Sequence, residues 1–307
     1  MSILLKKSTL INTLGFLGIC NLIAIAPANA FSITFSGTEN LGFENQYNGW
    51  STIGDTTVQS TFQEISPQAG SYQALITTGC NNCVDNGSIR NDDSHINNTA
   101  GTFNYSGTNP ISASVEQFGS NNLQKQLGIS ANALNINAKR NNTEITNVFR
   151  TPKEGSGILS DSFTVSDGSF QISFDWNYLS NDGASVLGNQ DFSFVTINRI
   201  DSSTGNTLEE EVILLGDSSK SIPTNSNNKF VEVGGYESYT SQTFAPGTYR
   251  VGFGIADVDN VDRSSAMLVD NLAIKQVPFE FSPTLGLLAV GSMFALKTAW
   301  QKRKHMS

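Results

Sequence analysis

The side chains that could do chemistry in this chain are few and far apart. Cys80-Asn81-Asn82-Cys83 is a Cys-x-x-Cys pair, and His95 is the only histidine between residues 31 and 277. A zinc site needs two more ligands and a redox site needs a thioredoxin-like context, and the sequence supplies neither. The pair therefore reads as a small disulfide loop, with metal binding as the alternative. Ser/His/Asp and Cys/His hydrolysis lack their parts, because there is one body histidine and no Gly-x-Ser-x-Gly elbow. Paired carboxylates for glycoside hydrolysis exist by number alone, and only their separation in space decides that case. Asp257-Val258-Asp259-Asn260-Val261-Asp262 is acidic enough for a cation. It lacks the glycine and the closing glutamate of an EF-hand loop, so a solvated turn is expected, with a second calcium site as the alternative. Aromatic rings are the other candidates, since an exposed ring stacks on a sugar while Asn and Asp bind its hydroxyls. Phe174, Trp176 and Tyr178 recur at every second residue, the spacing of a core. Trp50 sits among turn residues, where both packing and ligand stacking are open to it.

Strands must position these groups. In Phe170–Tyr178 every second residue is aromatic or aliphatic, the period of a strand with one buried face, and Tyr249, Val251, Phe253 and Ile255 repeat it. Further strand-like runs are Ser32–Phe35, Val58–Phe62, Tyr72–Thr77, Ile145–Phe149, Ile158–Val165, Asp191–Ile200, Glu211–Leu215, Phe230–Val233 and Met267–Ile274, each bounded by Gly, Asn, Asp or Ser. The one helical candidate is Asn122–Gly128. About a dozen short strands without a fixed repeat predict an all-β antiparallel sandwich. Charged residues make up 15% of the chain, and residues 31–277 hold 12 basic against 26 acidic side chains, a net of −14. Such a body repels phosphate backbones and anionic bilayers, which excludes nucleic acid and peripheral membranes as partners and predicts neutral or cationic ligands.

The two ends read as addresses. Lys6 and Lys7 precede an apolar run from Leu10 to Ile25, and Ala28-Asn29-Ala30 supplies the small residues a signal peptidase reads. Polar Asn12, Thr13 and Asn21 break the run, so cleavage after Ala30 is expected rather than a retained anchor. At the other end Pro278-Phe279-Glu280 leads through Pro283 into the apolar run Leu285–Leu296 and the basic cluster Lys302-Arg303-Lys304. Twelve apolar residues fall short of the roughly 20 that span a bilayer. The basic end holds that terminus in the cytoplasm. The order of motif, apolar segment and basic stop resembles the PEP-CTERM sorting tails of exported bacterial proteins, in a Pro-Phe-Glu variant. The resemblance implies recognition by an exosortase-type membrane protease at Pro278, Phe279 and Glu280. A plain anchor that is never cut is the other reading.

Within the body, Leu41-Gly42-Phe43-Glu44 is followed by Asn48-Gly49-Trp50 and Gly54-Asp55, and the last strand carries Leu268-Val269-Asp270-Asn271-Leu272. This combination resembles jelly-roll modules of the carbohydrate-binding, galactose-binding-like type. The resemblance implies first and last strands side by side, with Glu44 and Asp270 sharing a structural Ca2+ beside backbone carbonyls. Oxygen-only donors suit a hard cation. In the competing reading Glu44 ends a strand and Asp270 makes an Asx turn with Asn271. Phe174–Asp182 together with Asp191–Val195 is similar to a block found in secreted proteins with PEP-CTERM tails.

The expected organisation is a signal peptide over 1–30, a β-sandwich over 31–277 and a sorting tail with a short apolar helix over 278–307. The expected function is that of a non-enzymatic, calcium-stabilised protein, exported to the cell surface or extracellular matrix and touching the membrane only through its tail. A lectin-like module for exopolysaccharide is the alternative, and a secreted glycosidase ranks third.

Overall fold

The computed structural model describes residues 31–79, 83–85, 88–90, 110–114, 119–140, 143–180, 190–219, 230–258 and 264–277, and every structural statement below concerns these. Ala30, Cys80, Pro278, Phe279 and Glu280 lie outside them, as do the signal and tail segments. The strands in chain order are β1 (Ile33–Phe35), β2 (Trp50–Ile53), β3 (Thr56–Gln59), β4 (Gln73–Thr77), β5 (Cys83–Asp85), β6 (Ser88–Arg90), β7 (Ile111–Ser112), β8 (Ile136–Arg140) and β9 (Thr143–Arg150). They continue as β10 (Glu154–Ser160), β11 (Phe163–Val165), β12 (Phe170–Ser180), β13 (Phe192–Ile200), β14 (Thr207–Asp217), β15 (Val231–Glu232), β16 (Glu237–Thr240), β17 (Gly247–Asp257) and β18 (Ser265–Gln276). A single helical turn, α1 (Leu123–Gln126), completes the set.

Alternation of large apolar with polar or small residues builds two antiparallel sheets, which pack as a sandwich. In the first, β17 is central: β13 and then β14 lie on one side, and β10 end to end with β11 lies on the other. Beyond that pair come β1, β2 and β7. In the second, β18 lies between β4 and β12, with β3 outside β4 and with β15 and β16 outside β12. The last two strands thus enter the middle of the two sheets and bind early strands to late ones.

Between the sheets Phe174, Trp176 and Tyr178 from β12 meet Val251, Phe253 and Ile255 from β17, with Phe174 and Phe253 edge-to-face at 4.8 Å. These are the core positions that the alternation predicts. The other face of β12 is also covered: Leu179 joins Phe62, Leu75, Phe230 and Leu268 in a smaller cluster.

The outer face of the first sheet carries a third layer, and glycine makes it possible. Gly155 and Gly157 on β10 and Gly252 and Gly254 on β17 give the sheet a flat floor. Leu123 and Leu127 of the α1 turn lie on that floor, and the Phe194 ring lies over its cross-strand partner Gly254. Asn122 caps the turn by accepting the amides of Gln124 and Lys125, and Gly128 at φ 73° ends it, so the helical candidate forms where the sequence places it.

Three sequence expectations shift. The run Ile158–Val165 is two strands, because the Ser160 hydroxyl rather than a carbonyl accepts the Val251 amide at 2.9 Å and the ladder breaks at Asp161. The run Val58–Phe62 begins earlier, at Thr56, and stops at Gln59, after which Gln63 and Glu64 take positive φ in a tight turn closed by Phe62 and Ile65. Trp50–Ile53, which is not among the predicted strands, is β2.

A methyl group at position 254 would enter the Phe194 ring, which is fully buried and has nowhere to move. Gly254→Ala is expected to cost about 1–3 kcal/mol, read as a lower thermal midpoint.

Candidate functional site

Three adjacent strands set three outward side chains in one row. Asn198 on β13 lies directly opposite Arg250 on β17 and Glu210 on β14. In the next row Ile200 faces Thr207. The turn after α1 walls this floor and is stapled to it at three successive points. Asn198 Nδ2 donates to the Leu127 carbonyl at 2.8 Å, and Thr207 Oγ1 donates to the Gly128 carbonyl at 2.7 Å. The Ser130 amide and hydroxyl donate to the two Glu210 oxygens at 2.7 and 2.6 Å. The far end is closed by the β13–β14 turn at Gly205 and Asn206. That turn is held by Asp201, whose carboxyl is kept below the usual range by the Ser203 hydroxyl and by the Ser203 and Thr204 amides.

The half-open groove has a volume of about 510 Å3, within the range of small-ligand sites. Its polar groups are only partly used. Asn198 is 1% exposed, yet its Oδ1 has no hydrogen-bond partner. A buried acceptor left without a donor costs about 1–3 kcal/mol. Arg250 beside it is half-buried and makes no ion pair among the described residues, where the pairs are Arg150–Asp217 and Arg199–Glu209. Lys125 stands on the facing wall. The groove floor therefore sets one buried, unpartnered acceptor beside the half-buried Arg250, a pair that suits a ligand carrying hydroxyl groups. Sequence reasoning missed these residues. Arg250 is legible only as an outward position of β17, and nothing local to Asn198 announces that the two pair.

A second polar concentration has different character. Near one end of the sandwich the Tyr178 hydroxyl donates to Ser265 Oγ at 2.9 Å, Ser265 donates to Asp191 Oδ2 at 2.8 Å, and Asp191 Oδ1 accepts the Val258 amide at 3.2 Å. Burial, with Asp191 beside it, pushes the Tyr178 phenol far up. Arg150, fully buried, donates to Asp217 at 2.8 Å and lies over the Phe192 ring. The Tyr178, Ser265 and Asp191 groups bond to one another, while Arg150 Nε and Nη1 stay buried without a hydrogen-bond partner.

The sequence-singled pair Glu44 and Asp270 does converge, on the loop at residues 66–72. Asp270 Oδ2 accepts the Gln68 and Ala69 amides at 2.6 and 2.8 Å, and Oδ1 accepts the Asn271 amide at 2.6 Å. Glu44 Oε1 accepts the Ser71 and Tyr72 amides at 2.8 and 3.1 Å. Gly70, at φ 65°, passes so close to the Glu44 carboxylate that a side chain there would collide with it. Burial raises the Asp270 carboxyl, and Asp175 adds to that; the Ala69, Asn271 and Gln68 amides oppose them. The donors are all oxygen, as a hard cation requires, and Glu44 Oε2 takes part in no hydrogen bond. The remaining contacts form a clamp on amides that is complete without an ion. Among the described residues no group of three or more Asp, Glu, His or Cys side chains converges as a metal site.

Trp50 is a core residue and not a ring open to a ligand. It is 8% exposed, packs against the tilted Phe43 ring at 5.0 Å and donates its indole N–H to the Asn40 carbonyl at 2.8 Å. The Gly-Phe-Glu and Gly-Trp signals belong to one turn: Phe43 and Trp50 plug the core while Asn40 ties Gln46 and Asn48 together. Cys83 opens β5, and its expected partner Cys80 lies outside the described residues. Most of the cluster after Asp257 lies outside them too.

No family model and no curated protein matches the chain. Among solved structures it is similar to the enzymatically active domain of bacteriophage CBA120 tailspike protein 4, at 8% identity and a TM-score of 0.34 over 78% of this chain and 21% of that one. It is similar to TmCBM61 in complex with beta-1,4-galactotriose, at 9% identity and 0.34 over 80% of this chain and all of that one. It is also similar to the CBM22-1-GH10 modules of Clostridium thermocellum endo-1,4-beta-D-xylanase 10B complexed with xylohexaose, at 11% and 0.30 over 77% of this chain and 28% of that one. Likeness at this level carries no argument about a ligand.

Asp217 supplies a pH test. Burial lifts its carboxyl, but Arg150 and Ser219 outweigh burial and hold it below its ordinary 3.8. The folded state therefore binds this proton less readily than the unfolded one. The stabilisation is whole above that ordinary value and drains as pH falls through the lower, folded one. Asp217→Asn is expected to cost about 3–5 kcal/mol at neutral pH, since it strands a buried guanidinium, and to flatten the acid limb of midpoint against pH.

Proposed function

We propose that this chain is an exported, non-enzymatic glycan-binding protein whose sandwich holds exopolysaccharide at the cell surface or in the extracellular matrix. The observation that carries the reading is the buried Asn198 Oδ1, left without a donor on the floor of a groove walled by Lys125 and flanked by Arg250. A sugar hydroxyl supplies the missing donor, and the neighbouring Arg250 donates to another sugar oxygen. The entry of the last two strands into the centres of the sheets supports a jelly-roll winding. A glycosidase would need two carboxylates across the scissile bond. The groove lining offers Glu210 alone, and both its oxygens are engaged by Ser130.

Delivery rests on the sequence. The N-terminal segment ending at Ala30 supports export through signal peptidase. The tail beginning at Pro278-Phe279-Glu280 supports sorting by an exosortase-type protease, with membrane contact confined to that tail. Calcium at Glu44 and Asp270 is a further part of the reading: bound there, it would tie the first turn and the last strand to the loop at residues 66–72 and so stiffen the sandwich.

Two outcomes are expected. Affinity electrophoresis through gels carrying soluble exopolysaccharides should retard the wild-type protein, and Asn198→Leu should migrate as in a blank gel while keeping its near-ultraviolet dichroism. Equal retardation of the two proteins would remove the groove from the account. In calorimetry, chelation should lower the melting midpoint by several degrees, about 1–2 kcal/mol of lost stabilisation. An unmoved midpoint in metal-free protein would leave the amide clamp acting alone.

A further inference from the structure

We infer that the sugar unit this groove selects carries a carboxylate, so that the ligand is a uronic-acid-bearing polysaccharide and not a neutral one; the inference rests on the reading of the groove as a glycan site. The body at net −14 predicts neutral or cationic ligands, and the groove is a local exception. Of the row Arg250–Asn198–Glu210, the single carboxylate is committed elsewhere, since Ser130 takes one of its oxygens at 2.7 Å and the other at 2.6 Å. Glu210 makes no ion pair with Arg250, although it stands only two strands away.

Arg250 is half-buried and makes no ion pair among the described residues of a chain that holds more than two acidic side chains for each basic one in its body. Where carboxylates are so abundant, an arginine left unpaired beside a buried, unpaired acceptor is a matched set of vacant contacts. The planar guanidinium fork fits a carboxylate in a bidentate way that a hydroxyl cannot reproduce. Asn198 Oδ1, on the directly opposite residue, takes a hydroxyl donor. Cross-strand neighbours sit about 5 Å apart, the scale on which a single uronic-acid ring presents an acid group and a hydroxyl. No covalent step is involved, and the carboxylate binds as the anion.

The test is calorimetric titration of the whole exported protein with oligogalacturonate and oligomannuronate, each beside its carboxyl-reduced counterpart, at low and at physiological salt. The expected result is that at least one acid form binds about tenfold or more tightly than its reduced partner, and that this preference shrinks with salt. Arg250→Gln should weaken both forms and bring the acid form down to the level of the reduced one, so that the preference is erased, and Arg250→Lys should restore part of it. Arg199→Gln, on the same sheet but outside this groove, should leave it intact. Equal binding of acid and reduced forms would overturn the charge inference and leave the glycan reading standing. Binding of neither form by the folded wild-type protein would overturn both.

Discussion

The architecture depends on one strand having two incompatible faces. β17 sends Tyr249, Val251, Phe253 and Ile255 into the core and leaves Gly252, Gly254 and Ala256 on the other side. The large residues weld the two sheets through contacts such as Phe174 on Phe253. The glycines let α1 and Phe194 lie against the backbone, and a third layer exists only because that face is flat. Where the glycines stop, at Arg250, the layer lifts away from the sheet and the groove opens. Core, third layer and groove are consequences of the same alternation read along one strand.

Charge is distributed to match. The acidic run Glu209–Glu211 lies on β14, an edge strand whose early residues are exposed, where it discourages pairing with other chains. Carboxylates that are buried have work within the fold: Asp270 holds the amides of the loop at residues 66–72, Asp191 gathers Ser265 and Val258, and Asp217 answers Arg150. Arg250 is the departure, a half-buried cation with no carboxylate set against it. In a body so rich in acids that departure is informative, because a partner would have been easy to place.

Much of the fold is legible in the sequence wherever one period dominates. Phe170–Tyr178 and Tyr249–Ile255 declare their buried faces residue by residue, and Asn122–Gly128 declares a capped turn. What is not legible is long-range register. Asn198 and Arg250 meet because β13 and β17 pair across fifty residues, and no local signal encodes that they do. Glu44 and Asp270 were visible through a family resemblance, and they do reach one loop, yet the amide partners they find there depend on how that loop lies. Trp50 is ambiguous in the sequence because its neighbours are turn residues. Its fate is set by Phe43 and Phe253, which flank it from elsewhere in the chain. β2 was hidden for the same reason: Trp50–Ile53 becomes a strand only because β10 lies beside it.

The central claim is that the groove between the residues 127–130 turn and β13–β14 holds a sugar. Nuclear magnetic resonance of the isotope-labelled protein, titrated with oligosaccharide, tests it most directly by reporting which atoms sense the ligand. The largest shifts should fall on the Asn198 side-chain amide, the Arg250 Nε–H and the Gly128 and Ser130 amides. Shifts confined to the loop at residues 66–72, or spread with no focus on the groove, would contradict it.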